Sequence, residues 1–350
     1  MIDLRSDTVT HPTLEMRHAM VQAEVGDDGL EGDPTVIRLQ ERAASILGKE
    51  AGLFVPSGTM GNIVSLLAQA QPGDEIMVGD RSHIFLNEVG GASALGGIQT
   101  QQIPNEMNGT LDLNRIEQGI RRSGGARPVS RLLCLENTHN YCSGAALSVD
   151  YLGAASDLAH RNGLNVHVDG ARIFNAAISL GVGVDQLVAD ADTVTFCLSK
   201  GLACPVGSIV CGSSDFIATA HRIRRMLGGG MRQVGILAAA GLYALDNMVD
   251  RLSEDHANAQ RLAKGLASIP GLSIDPEMTQ TNIVIAEVHD GDVPTLLDEL
   301  AEMNVLGSYI GDNLLRMVTH HGIKENDIDQ ALDITSGVIA RGQGKETDNS

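Results

Sequence analysis

A lysine that follows an apolar segment is the residue of this 350-residue chain that most directly indicates chemistry. The segment Thr193–Leu198 is β-branched and apolar, which predicts a buried strand, and Lys200 follows it between Ser199 and Gly201. A lysine held away from water is a nucleophilic amine that can form an imine with a carbonyl cofactor. A strand-end lysine can also simply extend its ammonium group into water, and this segment alone supports both interpretations about equally.

Three further segments place polar groups where a predicted strand ends. Asp169 follows the strand Leu164–Val168, and His83 comes shortly after the strand Glu75–Val78. Pro56–Asn62, with the sequence PSGTMGN, joins a short strand to a helix, where free backbone amides and the helix dipole favour a phosphate. Each feature also occurs without function, because many glycine turns bind nothing and a lone histidine is more often structural.

These groups together match the needs of one cofactor. A pyridoxal-phosphate site requires a lysine, a carboxylate at the pyridine nitrogen and a phosphate cradle. Lys200, Asp169 and Pro56–Asn62 offer these three parts. Strands that alternate with helices predict an α/β fold with an open, mainly parallel sheet, and ligands of such sheets lie at the carboxyl ends of the strands. The pattern therefore predicts that the three parts meet at one edge of the sheet.

The order of predicted elements divides the chain into four parts. They are an N-terminal arm at 1–14, a large cofactor-binding domain at 15–250, a small C-terminal α+β domain at 251–341 and a flexible polar tail at 342–350. The arm carries Arg5, Ser6 and Asp7 close together. A polar terminal arm usually frays unless it lies over a site or a neighbouring subunit.

The composition argues against a nucleic-acid or membrane partner. The formal net charge is −19 and aromatic residues make up 3% of the chain, so neither basic patches nor base-stacking surfaces are expected. The longest apolar run, Gly235–Leu245, is too short to span a bilayer, and no leader sequence follows Met1. We therefore expect a cytoplasmic protein without a membrane segment.

The cysteines and one acidic loop raise further alternatives. The five cysteines show no metal-binding spacing, so reduced thiols and no metal site are expected. Cys204 lies near Lys200 and could be reactive, although a buried, inert thiol is the commoner case. The loop Gly26–Pro34 carries four acidic residues that could bind calcium. Its spacing is not that of an EF-hand, which favours a solvated or interface loop.

Ten segments of the chain resemble the L-threonine aldolase family of pyridoxal-phosphate enzymes. In chain order they are IDLRSDTVT, AEVGDD, FVPSGTMGN, LENTHN, HVDGARIFNA, CLSKGL, PVGS, GGGMRQ, GILAAAGLYAL and LRMVTH. The match runs from Ile2 to about His320. The resemblance implies the aspartate-aminotransferase-like fold (fold type I) and cleavage of L-threonine or L-allo-threonine between Cα and Cβ, which gives glycine and acetaldehyde.

The resemblance also implies a role for each matching residue. Lys200 would bind the cofactor covalently, Asp169 would pair with the pyridine nitrogen, and His83 would stack on the ring. Further cofactor contacts would come from Gly58, Thr59, Ser199, Arg172 and Arg232, the last from the partner subunit. The substrate carboxylate would be held by Ser6, Arg172 and Arg316, since a planar guanidinium meets a carboxylate through two hydrogen bonds.

Two implied features concern the reaction and the assembly. The base that takes the proton from the β-hydroxyl stays open between His83 and a water molecule, because either can lie within hydrogen-bond reach. The family implies a homo-oligomer, usually a tetramer built of dimers, with active sites shared between subunits. GGGMRQ and Gly26–Pro34 would then be interface elements.

The chain departs from the family around the predicted substrate pocket. Leu30 stands where the family usually has a tyrosine, and Arg225 stands where many members have lysine. After ENTHN the chain continues with YCSGAALS instead of Gly-Lys and a proline-containing stretch, and Ser123–Ser130 lacks a histidine found in many relatives. Alternatives are therefore a phenylserine-type aldolase, another fold type I lyase or racemase, and a cofactor-binding protein without turnover.

Overall fold

A computed structural model describes residues 1–122, 125–289, 292–311 and 313–347. The strands, in chain order, are β1 (Ile2–Asp3), β2 (Ala51–Val55), β3 (Glu75–Gly79), β4 (Gln99–Ile103), β5 (Ser130–Glu136), β6 (Asn165–Asp169), β7 (Thr193–Cys197), β8 (Ser208–Gly212), β9 (Leu272–Ser273), β10 (Ile283–Val288), β11 (Val305–Leu306), β12 (Ser308–Ile310) and β13 (Leu314–Val318). The helices are α1 (Leu14–Val21), α2 (Pro34–Leu47), α3 (Gly58–Gln69), α4 (His83–Leu86), α5 (Gly91–Gly96), α6 (Leu113–Gly119), α7 (Val149–Arg161), α8 (Ile173–Leu180), α9 (Val184–Leu187), α10 (Ser214–Met226), α11 (Gly235–Asn247), α12 (Leu252–Leu266), α13 (Val293–Glu302) and α14 (Glu325–Thr347). Short 3-10 helices cover Asp7–Val9 and Pro276–Met278.

A seven-stranded sheet forms the centre of the large domain, in the order β2-β8-β7-β6-β5-β3-β4. The strands β3 to β7 run parallel to their neighbours among them, while β8 is antiparallel to both β7 and β2. Helices from both sides cover it, so β3, β7 and β8 are buried throughout, whereas the edge strand β4 is mostly polar and partly exposed. The predicted α/β class and mainly parallel sheet are confirmed.

Local signals account for many helix boundaries. Thr13 accepts a hydrogen bond from the Met16 amide and begins α1, as its residue type predicts. Asp33 caps α2 in the same way, and Gly48 ends that helix with a φ of 64°, a conformation that glycine adopts easily. The glycines of Gly90–Gly97 favour a loop, yet the region contains the short helix α5, with Gly90 and Gly97 in left-handed conformations at its two ends.

The small domain has its own antiparallel sheet, in the order β12-β13-β10-β9. Helices α12, α13 and α14 pack on it and enclose a second hydrophobic core. The final helix, α14, runs from Glu325 to Thr347 and so enters the expected tail at 342–350, of which residues 348–350 lie outside the described residues. Residues 123–124 of the departing loop are likewise not described.

The N-terminal arm is docked rather than frayed. Strand β1 pairs in parallel with β11, and the Leu4 carbonyl accepts a hydrogen bond from the Val318 amide. Ile2 and Leu4 are buried in the small-domain core, so apolar burial holds the arm in place. The polar residues that follow are thereby brought over the edge of the large sheet. This matches the alternative that the arm lies over a site.

Two other expectations can be compared with the described residues. Among them, no helix combines the length and hydrophobicity that crossing a bilayer requires. All five cysteines are unpaired and buried. Burial raises the pKa of the Cys204 thiol, which favours the inert interpretation of that residue over the reactive one.

Candidate active site

A cavity of about 370 Å³ opens at the carboxyl edge of the large sheet. Seven of the predicted site residues line it: Ser6, Gly58, His83, Asp169, Arg172, Lys200 and Arg316. Thr59, Ser199 and Arg232 do not. The strand ends meet at one place, as the alternation of strands and helices predicts for such a sheet, and the arm and strand β13 of the small domain join them there.

The turn between β7 and β8 presents Lys200 to the cavity. The Lys200 carbonyl accepts hydrogen bonds from the Ala203 amide at 2.8 Å and from the Thr10 hydroxyl of the arm at 3.0 Å. Ala203 and Gly207 have φ values of 60° and 106°, so the turn is tightly shaped. The side chain is half-buried, and no described residue lies within hydrogen-bond distance of its amine. The amine is thus available for a ligand.

The start of α3 forms the floor of the cavity at Gly58. Ser57 caps this helix through the Met60 amide, which leaves the amides of Gly58 and Thr59 without backbone partners in the described structure. A Cβ atom at Gly58 would lie 2.8 Å from the Cys197 Sγ, so only glycine fits here. Thr59 is exposed on the same first turn and lies beside the cavity rather than in its wall.

Asp169 ends β6 and is held by two donors. The Ala171 amide lies 3.1 Å from Oδ1, and the side-chain amide nitrogen of Asn62 lies 2.8 Å from Oδ2. The residue is 3% exposed. A buried carboxylate that keeps lone pairs toward a cavity is suited to a protonated ring nitrogen.

Asn62 also joins Asp169 to His83 through a second carboxylate. The same Asn62 nitrogen lies 2.7 Å from Glu88 Oε1, and that oxygen lies 2.9 Å from His83 Nδ1. The Asn62 oxygen faces His167 Nε2 at 3.1 Å, so the orientation of the amide is settled by its neighbours. Ligand atoms of His83, Glu88 and Asp169 lie within 4.8 Å of one another, and the Asn62 amide donates into this cluster.

Electrostatics within this cluster strengthen proton binding. Burial alone would lower the pKa of His83, but the hydrogen bond to Glu88 and the charge of Asp169 outweigh it and raise that pKa. Burial also raises the pKa of Glu88, and Asp169 adds to this effect. The Glu88–His83 pair therefore holds a proton to higher pH than either group would in water.

Arg172 is already engaged by a carboxylate of the arm. Its Nε and one terminal nitrogen lie 2.6 and 2.7 Å from the two oxygens of Asp7, and both side chains are buried. Asn282, just before β10, donates to Asp7 Oδ2 at 3.1 Å. Burial by itself would raise the pKa of Asp7, but Arg172 lowers it far below its usual range. Arg172 thus has only its remaining nitrogen to offer a ligand.

Arg316 has no carboxylate partner within the described residues. Its terminal nitrogens donate to the Arg5 carbonyl at 3.2 Å and to the Asn140 side-chain oxygen at 2.8 Å, while its buried Nε has no acceptor. Burial and the nearby charge of Arg172 lower its pKa to about 10. Of these two buried arginines only Arg172 is paired with a carboxylate, so this side of the cavity favours an additional anion.

A polar pair of side chains stands on the His83 side of the cavity wall. Tyr141 is the first residue of the departing segment YCSGAALS, and its hydroxyl lies 3.0 and 3.1 Å from the amide atoms of Asn87. Asn87 lies four residues after His83 at the end of α4, and Tyr141 follows Asn140, a partner of Arg316. The segment in which the chain departs from the family therefore contributes a side chain, Tyr141, to the cavity wall.

Arg232 lies away from this cavity in its own chain. Its side chain is 63% exposed, 3.2 Å from Asp27, and borders a smaller cavity of about 110 Å³ with Arg225. The acidic loop is used internally, because Asp33 caps α2 and Asp28 pairs with the buried Arg224. These carboxylates are thus engaged by partners within the chain.

Sequence reasoning missed several residues of the site. The further lining residues are Arg5, Thr8, Asn62, Asn87, Glu136, Asn140, Tyr141, Ala171, Cys197, Ser308, Tyr309 and Ile310. Asn62 and Glu136 stand inside the motifs PSGTMGN and LENTHN, and this was the available signal for them. Ser308 to Ile310 carry no signal in the sequence, because only the docking of the small domain brings β12 to the cavity.

The residues of the cavity fit pyridoxal phosphate. A free amine, a buried carboxylate with its remaining lone pairs exposed to the cavity, and a glycine helix start with unpartnered amides surround one space. The fold and the site together define the class of the protein, which is a pyridoxal-phosphate-dependent lyase of fold type I.

Comparison with known proteins then gives the family. The sequence profile named Beta-eliminating lyase matches residues 3–289, and the chain belongs to that family. It is 46% identical over 337 residues to low-specificity L-threonine aldolase 1 of Arabidopsis thaliana, which covers 95% of this chain and 94% of that protein. The low specificity L-threonine aldolase of Escherichia coli strain K12 is 42% identical over 341 residues, 97% of this chain and 100% of that protein. The resemblance drawn from the motifs is confirmed.

A solved structure supports the fold. Threonine aldolase from Leishmania major superposes with a TM-score of 0.83 at 16% identity, over 97% of this chain and 100% of that chain. A likeness at this identity bears on the fold alone, and it confirms the predicted fold type.

The Asp7–Arg172 pair yields a stability prediction. Asp7→Asn leaves Arg172 buried without its counter-charge, so we expect the free energy of unfolding at pH 7 to fall by about 3–5 kcal/mol. Because the pKa of Asp7 is lowered by folding, this contribution is complete above about pH 4 and is lost as the pH falls further.

The measurement is urea unfolding of wild type and variant between pH 3 and pH 8. Asp246→Asn removes a half-exposed ion pair with Arg42 and should change stability by at most about 1 kcal/mol, which makes it the matched control. A loss for Asp7→Asn no larger than that of the control would show that the buried pair does not hold the site together.

Proposed function

We propose that this chain is a pyridoxal-phosphate-dependent aldolase that cleaves L-threonine, L-allo-threonine and related L-β-hydroxy-α-amino acids to glycine and an aldehyde. The proposal rests on one observation. The residues that fit pyridoxal phosphate share a cavity with Arg316, which lacks a carboxylate partner in the described structure. An amino-acid carboxylate supplies the missing anion. The names of the two aldolase relatives support this choice of reaction.

The proposed cofactor contacts follow from the cavity walls. Lys200 would bind the cofactor carbonyl carbon, Asp169 would hold the proton on the pyridine nitrogen, and His83 would cover the ring face. The amides of Gly58 and Thr59 would receive the phosphate, with Ser199 nearby. The cofactor, when bound, supplies an electron-accepting ring that stabilises the charge left on Cα when the Cα–Cβ bond breaks.

The substrate carboxylate would bind between the two arginines. Arg316 offers its unpaired Nε, Arg172 offers the nitrogen that Asp7 does not use, and Ser6 lies on the arm above them. A carboxylate held at these donors orients the amino acid within the cavity. Orientation matters because the bond that breaks must lie correctly toward the cofactor.

A base must take the proton from the β-hydroxyl. His83 Nε2 has no partner among the described residues and lines the cavity, while its Nδ1 faces Glu88. His83 Nε2 or a water molecule beside it would accept this proton. The Asn87–Tyr141 pair stands next to this point, so we infer that it contacts the β-substituent and sets substrate preference, including any preference for phenylserine.

We also propose a cytoplasmic homotetramer, built as a dimer of dimers, with shared active sites. Arg232 is exposed and lies outside the cavity of its own chain, which suits a residue that reaches a partner's phosphate. Its loop is fixed to the acidic loop by the Asp27 and Asp28 contacts. An active site built from two subunits would explain why the exposed Arg232 is held in place by Asp27.

The first test of function is a product assay. The purified protein is loaded with pyridoxal phosphate and given L-threonine, L-allo-threonine or L-threo-phenylserine. We expect equal amounts of glycine and aldehyde from at least one threonine diastereomer, and loss of turnover by at least about 10³-fold in Lys200→Ala. Turnover of phenylserine alone would move the assignment to the alternative aldolase. Absence of glycine from all three would refute the aldolase and favour another lyase or a racemase.

A second prediction concerns the carboxylate site. Arg316→Ala removes the unpaired guanidinium, so KM for the amino acid should rise by about 10–100-fold, corresponding to a charged hydrogen bond of about 1.5–3 kcal/mol. Arg316→Lys keeps the charge without the planar fork and should recover part of the loss. Steady-state kinetics with the preferred substrate measure both. An unchanged KM in Arg316→Ala would mean that the carboxylate binds elsewhere.

The shared site can be tested by complementation. Lys200→Ala and Arg232→Ala subunits, each expected to be impaired alone, are expressed together. A hybrid dimer then contains one intact site, because an intact Lys200 meets an intact Arg232, and random pairing should restore about a quarter of wild-type turnover. Failure of the mixture to exceed the sum of the separate variants would contradict the role of Arg232 across the interface.

A further inference from the structure

Glu88 is a buried titratable residue to which the proposed reaction assigns no role. Its side chain is 1% exposed, and one of its oxygens, Oε2, has no hydrogen-bond partner in the described structure. Its other oxygen receives both the Asn62 amide and His83 Nδ1. Burying a carboxylate is unfavourable unless its charge is used. Its position therefore calls for a function.

The backbone around Glu88 is strained in a way that fixes this position. Val89 has a φ of 53°, which is rare for a β-branched residue, and Gly90 follows with a φ of 66°. The Val89 side chain is 96% exposed, so it gains no burial in return within the chain. Strain of about 1–3 kcal/mol at such a residue persists only where the surroundings determine the conformation. The neighbouring Glu88 side chain is held inside by Asn62 and His83.

We propose that Glu88 is a positioning residue that fixes His83 in the tautomer with the proton on Nδ1, so that Nε2 faces the cavity as a proton acceptor. The choice of tautomer is set by the bond that the other ring nitrogen makes. A carboxylate at 2.9 Å from Nδ1 can only accept, so neutral His83 must donate there. The proposal rests on the proposed function only for the task given to Nε2.

Asn62 makes this arrangement part of the cofactor site. Its side-chain nitrogen has two hydrogens, and one goes to Glu88 while the other goes to Asp169. His167, whose Nδ1 is held by Thr193, fixes the Asn62 oxygen from the other side. Because the Asn62 oxygen can only accept, His167 Nε2 donates to it. The carboxylates of Glu88 and Asp169 are thus held apart by one amide.

The charges around His83 decide how it titrates. Glu88 and Asp169 favour the imidazolium and Lys200 disfavours it, while Glu136 accepts the His83 backbone amide at 2.6 Å. Cys134 faces Glu88 from β5, and burial raises the pKa of that thiol, so it stays neutral. Removing the Glu88 charge should therefore lower the pKa of His83 and extend the neutral, proton-accepting form to lower pH.

The test measures the His83 ring directly in protein labelled with 15N-histidine, without added amino acid. His83→Asn assigns the resonance. We expect wild type to show the Nδ1–H tautomer, and Glu88→Gln to keep that tautomer because its side-chain oxygen still accepts. The pKa of His83 should fall in Glu88→Gln by about 1–3 units, the usual effect of one close opposite charge. Glu88→Met removes the acceptor and should shift the ring toward the Nε2–H tautomer.

Glu75→Gln is the matched control. Glu75 is equally buried, at the other end of β3, and is paired with Arg121, so its loss should leave His83 unchanged. In loaded enzyme, the acidic limb of the pH profile of kcat should move to lower pH in Glu88→Gln only. An Nε2–H tautomer in wild type, an unchanged tautomer in Glu88→Met, or an unchanged pKa in Glu88→Gln would each overturn the proposal. The 15N measurement on His83 does not depend on the product assay. Failure of the Glu88 proposal can therefore be distinguished from failure of the proposed aldolase function.

Discussion

The buried ion pair between Asp7 and Arg172 is the interaction on which the shape of the site depends. Asp7 belongs to the arm, Arg172 follows the strand that ends at Asp169, and Asn282 adds a bond from the small domain. A buried charge without a partner is strongly unfavourable, so each of the three parts is bound to the others by electrostatics as well as by apolar packing. The cavity exists where these parts are held together.

The same pair determines where in the cavity an anion can bind. Asp7 satisfies Arg172 through two hydrogen bonds and leaves Arg316 beside it with an unpaired, buried nitrogen. Burial and the neighbouring charge of Arg172 lower the pKa of Arg316. A substrate carboxylate bound there would balance this positive charge. Asp169 in the cavity wall and the buried Glu88 behind His83 are the negative groups that suit a protonated ring and an imidazole.

Burying the polar groups of the site costs little free energy where they are hydrogen-bonded to one another. One amide, that of Asn62, satisfies two carboxylates and is itself fixed by His167. Such a network is favourable only when its members are satisfied, and it then imposes one geometry. The buried atoms without partners include Glu88 Oε2, behind His83, and Arg316 Nε, at the cavity. These atoms keep hydrogen-bonding capacity that the chain itself does not use.

The sequence by itself determined the α/β class, the family and the residues at the strand ends, including Asp169 and Lys200. These are encoded locally, since side-chain periodicity gives strands and helices, and parallel strands end at the same edge. Only the tertiary structure decided that Arg172 is shared with Asp7, 165 residues away, and that Glu88 controls His83. The first pairing joins residues that are remote in the chain, and the second, between residues five positions apart, depends on the backbone conformation after α4. The pattern of residue types alone therefore specifies neither.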